Sequence, residues 1–72
     1  MEPSPVQIAR GMIDPLSAIL GNAQLALRDT NLSPTARDQI RTVELQAQLM
    51  RDDLQLLLTL LVQSSKPDAA FK

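Results

Sequence analysis

Ile40-Arg41-Thr42-Val43-Glu44-Leu45-Gln46-Ala47-Gln48-Leu49-Met50-Arg51-Asp52-Asp53-Leu54-Gln55-Leu56-Leu57-Leu58-Thr59-Leu60-Leu61 is the stretch that decides the fold. Within it Ile40, Val43, Ala47, Met50, Leu54, Leu57 and Leu61 recur in alternating steps of three and four, an uninterrupted heptad seam along one side of a helix. Such a seam requires a partner helix to cover it. Upstream, Ala9, Met12, Leu16, Ile19, Ala23 and Ala26 repeat the same alternation, widened on one flank by Ile13, Leu20 and Leu27. Chain breakers gather at Pro3-Ser4-Pro5, at Asp29-Thr30-Asn31-Leu32-Ser33-Pro34 and at Ser64-Ser65-Lys66-Pro67-Asp68.

The pattern predicts an all-α chain with helices over about 5–28 and 34–63, their boundaries uncertain by ~2–4 residues. Residues 1–4 read as an N-terminal cap segment, 5–63 as a helical-hairpin domain and 64–72 as a flexible tail, with Phe71 able to fold back on the leucine-rich end. Ser4, Pro5 and Gln7 carry a capping box with proline at the first helical position, and Ser33-Pro34 repeats the cap signal. A short connection sets the helices antiparallel, near a ~20° crossing. Pro15 should bend helix 1, because it removes one backbone hydrogen bond and crowds the carbonyl of Gly11.

Composition narrows the chemistry. The 72 residues contain no cysteine or histidine, which excludes disulfides, thiol and imidazole nucleophiles and the usual zinc sites. Seven Lys plus Arg against eight Asp plus Glu leave a net charge of −1, unsuited to a row of phosphates, so no nucleic acid is expected as a partner. The leucine-rich run over 54–62 is far shorter than the ~20 residues that cross a bilayer, so no membrane partner is expected either. An acid near the N-terminus and no apolar run behind it argue for a cytoplasmic protein. Asp38, Glu44, Asp52 and Asp53 lie on a helix without the turn glycine of a calcium loop, and the serines have no base to activate them. No catalytic residue, cofactor or metal is expected.

More is apolar than one hairpin hides. Leu56, Leu58 and Leu60 join the seam and make the end of helix 2 hydrophobic nearly all round, and so small a domain with one aromatic residue is marginal alone. The expected assembly is a homodimer whose two hairpins form a four-helix bundle.

The stretch Asp14-Pro15-Leu16-Ser17-Ala18-Ile19-Leu20-Gly21-Asn22-Ala23-Gln24-Leu25 resembles the motif around the phospho-accepting histidine of sensor histidine kinases. The likeness extends over about 6–62, including the Ser33-Pro34 start of helix 2. It implies the family's dimerisation and phosphotransfer (HisKA-like) fold, a hairpin that pairs into a four-helix bundle. The chain departs from the motif where the chemistry lies. The family's histidine falls on Arg10, the acid after it on Gly11, and the polar residue before the proline on Asp14. A guanidinium stays protonated and offers no nucleophilic lone pair. What the resemblance implies is therefore a degenerate, non-catalytic dimerisation domain. Its Arg10, Ile13, Asp14 and Ser17 would meet a response-regulator receiver domain or a histidine kinase, or the domain would hold a larger protein dimeric. Two other readings remain open: phosphotransfer on a non-histidine acceptor such as Asp14, and a plain coiled-coil assembly module.

Overall fold

A computed structural model describes residues 3–65. The chain forms two helices, α1 (Pro5–Ala26) and α2 (Pro34–Ser65), packed against each other as a hairpin. Helix α1 stops two residues before the expected end and α2 runs two residues past it, so Ser64 and Ser65 continue the helix and do not open the tail. The rest of the tail, with the fold-back of Phe71, lies outside the described residues.

Each terminus has a local cause. At the start of α1 the Ser4 hydroxyl accepts from the Gln7 amide at 3.2 Å while the Gln7 side chain accepts from the Ser4 amide at 3.0 Å, which satisfies two donors that the first turn leaves open. Ser33 does the same work at α2, accepting from the Ala36 amide at 3.0 Å. Between the helices the Asp29 carboxylate accepts from the Asn31 amide at 2.9 Å, an Asx turn that reverses the chain. Helix α1 is continuous through Pro15.

The end of α1 is held from the other helix. Arg37, in the first turn of α2, donates to the Leu27 carbonyl at 3.0 Å and to the Asp29 carbonyl at 2.9 Å. Carbonyls at a helix C-terminus have no partner within the helix and carry its negative pole, so a planar guanidinium with several donors suits them.

The hairpin core is thin. Ala9, Leu16 and Leu54 form its buried cluster, with Ile13, Leu58 and Leu61 packed against it; Leu20, Ala23 and Ala47 are also buried. The molecule measures 28 × 14 Å across its two shorter axes. Since one helix with its side chains is ~10–12 Å thick, the slab is two helices wide and one deep.

Replacing Arg37 by Ala should lower stability by ~1–2 kcal/mol, because two charge-assisted bonds are lost and the Leu27 carbonyl loses its cationic partner, while the Asp29 carbonyl keeps the Leu32 amide. Arg37→Lys should recover only part, a point charge being unable to serve both acceptors at once. Urea denaturation followed by helix ellipticity measures both.

Candidate functional site

The heptad seam divides in two in the folded chain. Ala9, Leu16 and Ala23, seven apart on α1, are buried in the hairpin, as are Ala47 and Leu54 on α2. The alternate members of the same seams turn outward: Met12 and Ile19 on α1 are 45% and 46% exposed, and Val43, Met50 and Leu57 on α2 are 46–51% exposed. Ile40 and Leu61 are half-buried. A seam residue at one heptad position therefore faces the partner helix, while its neighbour three or four residues along faces the side of the slab.

Those outward residues meet along one groove. Met12, Leu16, Met50, Leu54 and Leu57, with Asp53 at the rim, line a depression of about 220 Å³. A second, of about 250 Å³, continues along the hairpin over Ile19, Val43, Ala47 and Met50. A third, of about 300 Å³, adds Gly11 and Pro15 on the α1 side. Both helices contribute, and Met50 lies in all three. Apart from Asp53, the polar residues lining these depressions are the uncharged Thr42 and Gln46.

The other side of the slab carries Arg10. It lies two residues before Met12, hence about 200° away around α1. Arg10 is exposed and lines a recess of about 360 Å³ with Leu58, Thr59, Val62 and Gln63. Asp14 and Ser17 share its face through steps of three and four, and both are exposed; Ile13, between them, is drawn into the core cluster. The four expected partner-binding residues thus split, with three polar groups at the surface and one apolar group beneath. Among the described residues no three acids gather as a metal-holding set, and no helix is long and apolar enough to cross a membrane.

Two features were missed in the sequence. Arg37 stands out in no sequence pattern, although a basic residue one turn inside a helix that follows a tight connection is placed to reach back to the preceding helix end. The second is Arg51, whose Nε is buried with no hydrogen-bond partner. Spacing alone does not expose it, because Arg51 is only half-buried and its aliphatic stem behaves as an apolar neighbour of the seam.

No family model, curated protein or solved structure matches this chain.

Substituting Met for Arg51 keeps the stem and removes the orphaned donor. The hairpin should be unchanged or more stable by up to ~1 kcal/mol, against the ordinary loss expected when an arginine with a good partner is removed. Thermal unfolding of the two proteins measures the difference.

Proposed function

We propose that this chain is a non-catalytic dimerisation module resembling a degenerate histidine-kinase dimerisation domain, and that two hairpins close on each other into a four-helix bundle. The single observation that carries this reading is the groove formed by Met12, Ile19, Val43, Met50 and Leu57, contributed by both helices and nearly free of charge. A helix-on-helix domain needs two packed layers around its core, and this slab has one. A second copy supplies a matching surface, since an isologous contact sets the same seam residues against themselves, and coiled-coil-like packing inserts each into a hole on the facing helix.

Arg10 takes the place of the motif's histidine on the side of the slab away from this groove, where it stays accessible after pairing. In this role it contributes no chemistry. Its guanidinium gives an acidic partner a charge-assisted contact, with Asp14 and Ser17 beside it, and so favours the encounter and orientation of a receiver domain or a kinase. In a longer protein the same bundle would hold two subunits together.

Light scattering at micromolar concentration should give twice the chain mass of 7.9 kDa. Met50→Lys, which places a charge in the middle of the groove, should shift the mass to that of the single chain and lower the unfolding midpoint. A wild-type chain at 7.9 kDa overturns the dimer.

Calorimetric titration with a panel of receiver domains and histidine kinases tests the signalling role. The expected result is binding that Arg10→Glu weakens by about tenfold or more, equivalent to ~1.4 kcal/mol, while the mass of the assembly stays the same. Silence across the panel would leave dimerisation as the whole function.

A further inference from the structure

We infer that the back of α2 is a docking face for an amphipathic helix of another protein, one that carries Lys or Arg at the middle of its apolar stripe. Leu45, Leu49, Leu56 and Leu60 are each 48–58% exposed. Leu45 and Leu49 flank Ala47 at two residues' distance, Leu56 follows Leu54 by two and Leu60 follows Leu58 by two. Two residues are about 200° of helix, so all four face away from the hairpin core. Leu49 and Leu56 also precede Met50 and Leu57 by one residue, which sets the stripe about 100° from the groove row. It is a separate row of leucines, and Asp53 stands on the border between it and the groove.

The charge on this stripe selects the occupant. The leucines are spaced four, seven and four, and the central turn that the seven-residue gap leaves free of leucine holds the exposed pair Asp52 and Asp53. A second copy laid antiparallel brings Leu45 against Leu60 and Leu49 against Leu56, but it also brings Asp52 level with Asp53 twice, four carboxylates flanking one turn. A parallel copy in register sets each aspartate against itself. Like charges facing each other oppose both arrangements, so the stripe rejects self-association through its centre. A foreign helix with apolar residues at the same spacing and a cationic central turn meets both features, filling the leucine pairs on either side and pairing with the acids between them.

The test uses the full chain and two synthetic amphipathic helical peptides with leucines at the four-seven-four spacing, one with two lysines in the central turn and one with two glutamates there. Fluorescence anisotropy should show the lysine peptide binding at least about tenfold more tightly than the glutamate peptide. Asp52→Lys with Asp53→Lys should reverse that preference, a gain of binding that a misfolded variant cannot give. Leu49→Ser with Leu56→Ser should abolish binding of the lysine peptide while helicity and solution mass stay unchanged. Absent binding, equal affinity for the two peptides, or binding of the lysine peptide that is lost on Met50→Lys and kept on the leucine substitutions overturns the inference. So does a fall in solution mass on Leu49→Ser with Leu56→Ser, which assigns the stripe to a second copy. Because the wild-type mass reports on the groove and the peptide preference on the back of α2, the two readings fail independently.

Discussion

Two helices laid side by side make a sheet-like body with an inside only along the line where they touch. Each helix can turn roughly a third of its circumference toward the other, and whatever apolar surface lies beyond that arc stays wet. In this chain the touching line takes Ala9, Leu16, Leu20, Ala23, Ala47 and Leu54, half of them alanines. Small residues there let the helices approach closely but bury little area, and no described side chain is completely shut away from solvent. A large share of the hydrophobic stabilisation available to the sequence, ~25 cal/mol for each Å² removed from water, is therefore not realised in the single hairpin.

The distribution of that exposed surface follows from the helical repeat. Seam residues alternate between the touching line and the groove, while the additional leucines of α2 fall on its back. The two open faces differ in charge: the groove is lined almost wholly by uncharged side chains, and the back of α2 places two carboxylates between its leucine pairs. A surface without charge is permissive toward its own copy; one with a like-charged centre is not. The side carrying Arg10 has a third character, a cation beside a partly apolar recess.

The helical hairpin was legible in the sequence because its signals are local and redundant. Seam periodicity, Ser4 and Ser33 as caps, and the breakers around Asp29 each point to the same two helices, and each has a direct counterpart in a hydrogen bond or a buried side chain. The helix ends were harder. Leu27 fits the periodicity of α1, but the chain turns after Ala26, and the carbonyl of Leu27 is held by Arg37 ten residues on. Nothing in a heptad pattern distinguishes Met12 from Leu16 either. Both are seam residues, yet one is 45% exposed and the other 7%, because the geometry of the crossing, not the period, decides which alternate residue faces inward. The candidate site was legible only as a shared face: the spacing of Arg10, Asp14 and Ser17 places them together, but it could not tell that Ile13 sinks into the core.

The Arg37 bridge also bears on how the hairpin assembles. Its two bonds link residues eight and ten apart in sequence, so they close a loop of a size that an unfolded chain closes in ~10–100 ns. The packing of Leu61 against the cluster of Ala9, Leu16 and Leu54, toward the open end, demands closure of most of the chain. A clasp at the bend can thus set the relative direction of the two rods before their far ends meet, and the remaining contacts can zip outward from it.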